Sequence, residues 1–251
     1  VLNHVTILSN AAAKPVAKRV FRHADGQISK LGAPMPKYFL IRREPVETID
    51  DLANLLVRLE SERDAFVIRG TPIGNFGLNP TRRLKHADGD IQPTFYSSPA
   101  GERWLCVDFD KVVAPTHFDV AQQPVLGFLY LRHRLPSEFH RTAFIGQWSA
   151  SAGMDGWKTI SAHLWFMLKE PQTDDVLNQW AKNVPGIDAR LYNTVQPHFT
   201  CAPAFTGLAD PIQNRTLLID DHEDTVCLNI SVRHDFAGIS RSPRETQSHT
   251  A

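Results

Sequence analysis

Cysteine is scarce. The chain has three, Cys106, Cys201 and Cys227, widely spaced and with no C-x-x-C pair. An odd, scattered set argues against a disulfide framework and against a thiolate zinc site, so all three read as small core residues. Long apolar runs are missing too: none approaches the roughly 20 residues that span a bilayer, and no membrane partner is expected. Residues 1–13 are mildly apolar but are broken by Asn3, His4 and Asn10 and lack a basic start, unlike a secretory signal. A cytoplasmic protein is the expectation. The formal net charge is zero, which lacks the global basic balance that advertises a nucleic-acid partner. There is no Gly-x-x-x-x-Gly-Lys-Ser/Thr loop and no internal repeat. At 251 residues the chain can bury a sizeable core, and with 42% hydrophobic and 22% charged residues its composition says soluble and globular and no more.

Charge is unevenly placed. Residues 1–45 hold eight basic residues, Lys14, Lys18, Arg19, Arg22, Lys30, Lys37, Arg42 and Arg43, against Asp25 and Glu44. This stretch reads as a basic N-terminal arm, either touching phosphates or simply solvated and partly mobile. Residues 46–239 read as one catalytic-sized unit and 240–251 as a polar tail or linker. Within the unit, Ile49, Leu52, Leu55, Leu56 and Leu59 recur at helical spacing over 48–64, with Thr48 or Asp50 placed to cap the start. Strands are expected at 65–69, 104–110, 142–149, 159–168, 216–219 and 226–232, and helices at 120–134 and 173–184. Thr173 would cap the last of these, with Asp174 and Asp175 in the first turn, where the helix dipole favours acids. Helices interspersed without regular alternation predict an α+β fold.

Three places carry chemistry. The run WLCVDFD (104–110) ends by placing Asp108 and Asp110 two residues apart, and a strand's period of two puts both on one face while Phe109 points to the other. Paired carboxylates repel unless a divalent cation neutralises them, and Mg²⁺ or Mn²⁺ fits, with coordination positions left for substrate phosphates. The same pattern also occurs in loops that bind nothing. In TISAHLWFM (159–167), Ser161 and His163 share a face and can donate hydrogen bonds to phosphate oxygens, although a satisfied core histidine is the alternative. Upstream, Ser149 and Ser151 sit in a small-residue loop that lets backbone amides approach a phosphate, or in an ordinary turn. Asp188, after the Pro185-Gly186 helix stop, is a candidate third carboxylate only by its context. Lys158, Lys169, Arg69 and Arg190 are candidate phosphate-neutralising cations, and His198 with Cys201 is an isolated pair read as structural.

The order D-x-D, then S-x-H, then a later lone aspartate resembles the archaeo-eukaryotic primase and primase-polymerase superfamily over residues 65–205. Ser149 to Ser151, the Ser161 to Phe166 run, Gly186-Ile187-Asp188 and the stretch YNTVQPHFTCAP (192–203) look like the primases of plasmids and phages. The resemblance implies a catalytic core with an RRM-like sheet and an N-terminal α/β layer. It implies that Asp108, Asp110 and Asp188 bind two Mg²⁺ or Mn²⁺ ions, and that Ser161 and His163, with Ser149, Ser151 and Lys158 nearby, contact the incoming nucleoside triphosphate. The implied partners are a single-stranded DNA template, nucleoside triphosphates and, as a further candidate, a replicative helicase. The implied activity is metal-dependent primer synthesis in plasmid or phage replication. Alternatives are a primer-extending polymerase of the same superfamily, a non-catalytic nucleic-acid-binding replication initiator, and a metal-dependent nuclease. Many relatives carry a zinc module, for which this chain offers no convincing spacing, and no zinc is expected.

Overall fold

The computed structural model describes residues 3–32, 34–74, 76–77 and 79–230. In chain order these form β1 (His4–Asn10), β2 (Arg19–Arg22), β3 (Ile28–Leu31), β4 (Tyr38–Pro45), α1 (Ile49–Ser61), β5 (Ala65–Ile68), β6 (Thr71–Pro72), β7 (Thr81–Arg82) and β8 (Phe95–Tyr96). There follow β9 (Glu102–Val113), α2 (Pro124–Arg132), β10 (Phe144–Trp148), β11 (Thr159–Gln172), α3 (Asp174–Lys182), β12 (Ala204–Thr206) and β13 (Thr216–Ile219), with 3₁₀ turns at Ser137–Phe139 and Ala189–Tyr192. The fold is mixed α+β.

Two four-stranded antiparallel sheets dominate. The N-terminal sheet has the order β5-β1-β4-β7, and the second has the order β13-β10-β11-β9. Two stretches of the basic arm expected over 1–45 are strands of the first of these sheets. His4–Asn10 is a central strand with Val5, Ile7 and Leu8 buried, because its apolar residues alternate onto both covered faces of the sheet. Arg42 and Arg43, on the neighbouring strand, are paired with Glu44, Glu62 and Glu102 rather than offered to a ligand. The tail expected at 240–251 lies outside the described residues.

The second sheet is covered on both faces. Leu105, Val107 and Phe109 of β9 and Ile160, Ala162, Leu164 and Phe166 of β11 pack against α2 and α3 through Phe128, Leu131, Leu177 and Trp180. Trp104, Cys106, Trp165 and Met167 point the other way, into a cluster with α1 and with Val5, Ile7 and Val67 of the N-terminal sheet. The expected α1 positions all face this cluster. A capping box fixes its start: Asp51 N donates to Thr48 Oγ1 (3.1 Å) and Thr48 N to Asp51 Oδ2 (3.0 Å).

Some boundaries differ from expectation for identifiable reasons. The 120–134 helix begins only at Pro124, whose fixed φ and missing N–H suit a first helical position. Over 226–230 there is no strand. Val226 makes one parallel bridge to Leu168, where β11 has outrun the end of β10, while 231–232 lie outside the described residues.

One buried cation ties the layers. Arg69, just past β5, donates from Nε to Asp174 Oδ1 (2.8 Å), from Nη2 to the Gln172 carbonyl (2.7 Å) and from Nη1 to the Trp104 carbonyl, and its guanidinium lies 5.0 Å from the Trp104 ring centroid. Arg69 and Asp174 are both fully enclosed, so Arg69 is a structural clamp and not a free phosphate-neutralising cation. Removing one partner of such a pair strands a buried charge. Arg69→Ala is expected to lower the unfolding free energy by about 3–5 kcal/mol in chemical denaturation, and Arg69→Met/Asp174→Leu to recover much of it.

Candidate functional site

The site is a consequence of register. His163 of β11 lies directly opposite Asp108 of β9 on one side and Gln147 of β10 on the other, and Gln147 lies opposite Thr216 of β13. Directly opposed residues share a face, so these four side chains form one polar row across the whole sheet. A β-bulge follows. Ile160 pairs with Val112 and Ala162 with Phe109, so Asp110 and Lys111 together face the single residue Ser161. Lys111 takes a left-handed φ of 53°, uncommon for a residue with a Cβ. Ser161 Oγ accepts from Lys111 N (2.9 Å) and donates to Asp110 Oδ1 (3.2 Å), which locks the bulge and aims Asp110 beside Asp108. The extra residue also returns Val112 to the helix-covered face.

Gln147 orients His163. The indole N–H of Trp165 can only donate, and it donates to Gln147 Oε1 (3.2 Å); the Thr200 carbonyl can only accept, and it takes Gln147 Nε2 (3.0 Å). The amide is thereby fixed with its oxygen toward His163 Nδ1 (3.4 Å), which makes Nδ1 the donor. His163 Nε2 is then turned to Asp108 Oδ1 at 3.3 Å. Burial opposes charge on Asp108, but the hydrogen bond and charge of His163, then Lys18, outweigh it and hold the carboxyl below its ordinary range.

These groups border a cavity of about 290 Å³ lined also by Ser149, Ser151, Lys18 and residues 196–202. The Ser149 and Ser151 hydroxyls are 3.2 Å apart, and the loop is held from behind by Arg215, which donates to the Ser149 carbonyl (2.8 Å) and is paired with Asp210. The opposite wall is stitched to β5: His198 N donates to the Val67 carbonyl (2.9 Å), Val67 N to His198 O (3.1 Å), and Gly70 N to Thr194 O (2.8 Å). Only glycine fits at position 70, since a Cβ there would stand 2.9 Å from the Thr194 oxygen. On this wall the His198 ring is enclosed among Trp104 and Trp165, and neither of its nitrogens has a partner among the described residues. Burial, then the nearby positive groups His163 and Arg69, push its pKa down to about 3.

Of the expected residues, Asp108, Asp110, Ser161, His163, Ser149 and Ser151 come together. Lys158 does not: it is exposed and outside the cavity lining. Asp188 does not line the cavity either. It begins the 189–192 turn, accepts from Arg190 N (3.0 Å) and pairs with the Arg190 guanidinium, which also takes Arg190 out of the candidate cations. Among the described residues no group of three or more His, Cys, Asp or Glu side chains is placed to hold a metal ion. Two carboxylates on one face, the second exposed, do fit a hard cation whose remaining positions are filled by a ligand's phosphates and by water. Sequence reasoning missed Gln147, Arg215 and Thr200. A buried amide or guanidinium has no period or spacing to announce it; only the neighbours reveal it. No protein-family model, no curated protein and no solved structure matches the chain.

His198 gives the wall an acid sensitivity. Its folded pKa lies below the unfolded value, so its contribution is fully present above about pH 6.5 and is lost as pH falls toward 3. At pH 5 the loss is about 2 kcal/mol. Thermal melts at pH 7 and pH 5 are expected to converge in His198→Phe and to differ in the native chain.

Proposed function

We propose that the chain is a metal-dependent nucleotidyltransferase that makes primers from nucleoside triphosphates on single-stranded DNA, a primase-polymerase of the plasmid or phage replication kind working in the cytoplasm. The observation that carries this reading is the convergence of Asp108, Asp110 and His163 on one face of the β9–β11 pair, at one cavity, with the buried Ser161 holding Asp110 in place. Asp108 and Asp110 would hold Mg²⁺ or Mn²⁺, which supplies charge neutralisation at the phosphates and at an attacking 3′ hydroxyl. The Ser149 to Ser151 loop offers donors to the triphosphate, and His163, held by Gln147, would position Asp108. The β9-α2-β10-β11-α3-β13 run is a split βαβ arrangement, in keeping with an RRM-like sheet, though β13 joins beside β10.

One observation favours a second reading. Asp188 stands outside the cavity lining, and without a third carboxylate the chain would be a non-catalytic initiator that binds single strands. Incorporation of labelled nucleotides separates the two. With Mg²⁺ or Mn²⁺ and unprimed single-stranded DNA, the native chain is expected to make products, and Asp108→Ala and Asp110→Ala each to lose more than about 100-fold, beyond what losing a mere outer partner of a metal ligand costs. Product on primed template alone would favour the primer-extending polymerase. Absence of synthesis on both templates would leave the initiator.

A further inference from the structure

The β2–β3 hairpin stands beside the cavity and belongs to neither large sheet. Among the described residues its one strand partner is β12, parallel to β2, and β3 is left as an edge. Register sorts its side chains. Val20, opposite Lys30, is fully buried; Lys18 and Lys30 lie on its inward side of the ribbon but are themselves exposed, while Arg19, opposite Leu31, and the half-buried Phe21, opposite Ser29, lie on the other side. Lys18 lines the cavity. The charged end of Lys30 is partly covered and lies near Lys18 and Lys111, and these effects lower its pKa although Asp110 and Asp155 oppose them.

The hairpin is positively charged without being neutralised. Among the described residues, Lys18, Arg19, Arg22 and Lys30 make no salt bridge, whereas Arg42, Arg43 and Arg58 on the adjoining elements all do. The only acid in residues 18–31 is Asp25. In a chain of zero net charge this is a local excess, and it adjoins apolar side chains: Leu31 is 49% and Ile28 40% exposed, and the half-buried Phe21 lies edge-on to His23 at 4.8 Å. Bare cations beside exposed apolar side chains and the rings of Phe21 and His23 match the two things a single strand of nucleic acid presents, phosphates and base faces.

We infer that the β2–β3 hairpin is the surface that holds single-stranded DNA, with Arg19 and Phe21 engaging the strand outside and Lys18 and Lys30 leading it to Asp110. This rests on the reading of the cavity as a template-directed site only for the strand's direction; binding itself is independent of synthesis. The inward lysines also suit the triphosphate of a nucleotide, so the test includes that anion.

Fluorescence anisotropy of a labelled oligo-dT with the full chain measures strand binding. Arg19→Glu/Lys30→Glu and Phe21→Ala are each expected to weaken it about 10-fold or more, with a shallower salt dependence for the first, while Lys182→Glu on exposed α3 leaves it unchanged. Photocrosslinking of 5-iodo-deoxyuridine oligomers to the native chain needs no variant and is expected to label residues 19–31. The inference is overturned if the native chain does not bind the oligomer, if Lys182→Glu weakens binding as much, or if crosslinks fall elsewhere. It is also overturned if the hairpin variants impair only binding of inorganic tripolyphosphate with Mg²⁺. Loss of nucleotide incorporation with strand binding intact would instead count against the enzyme reading and leave the hairpin's role standing.

Discussion

The pairing of β9 with β11 governs the rest of the structure. Both strands are long, both alternate apolar residues on one face, and their register sets His163 against Asp108. A slip of β11 by one residue against β9 would bring His163 to the helix-covered face and push Leu164 and Phe166 toward the cavity, at a cost that burial of the aromatic cluster around Phe128, Phe166 and Trp180 makes prohibitive. The apolar core on one face thus specifies the polar row on the other. Function and stability are coupled through a single strand pair.

Around that pair, the two remaining walls are held by buried polar side chains. Arg69 joins the end of β5 to the carbonyls of Trp104 and Gln172 and to Asp174, so the N-terminal sheet, the second sheet and α3 meet at one guanidinium. Arg215 does the same for the Ser149 to Ser151 loop. Gln147 bridges Trp165 and Thr200, linking the sheet floor to the far wall while it turns His163 toward Asp108. Groups of this kind, enclosed and multiply bonded, make a rigid frame, and Asp110 with the partly exposed Asp108 is left open to a ligand.

The strand period made the core of the site readable from sequence: D-x-D and S-x-H each predict a shared face, and the faces coincide. The helices α1 and α3 were readable from apolar spacing and from the caps Thr48 and Thr173. The bulge was not, because Lys111 carries no glycine to mark its left-handed backbone. The strands β1 and β4 within residues 1–45 were not readable, because counting charges hides the alternation in HVTILSN and YFLIRREP. Asp188 shows the limit of order along the chain as a guide: its carboxylate serves its own turn and Arg190. Lys18 was visible only as one charge among eight, and its place on the cavity wall depends on a hairpin docking that no local pattern encodes.

The most direct test of the account is the anomalous diffraction of manganese in crystals grown with Mn²⁺ and a non-hydrolysable nucleoside triphosphate. A manganese peak in coordination contact with both Asp108 and Asp110, and with a phosphate oxygen, is the predicted result. Manganese bound elsewhere, or a nucleotide whose phosphates avoid the Asp108, Ser161 and His163 face, would contradict it.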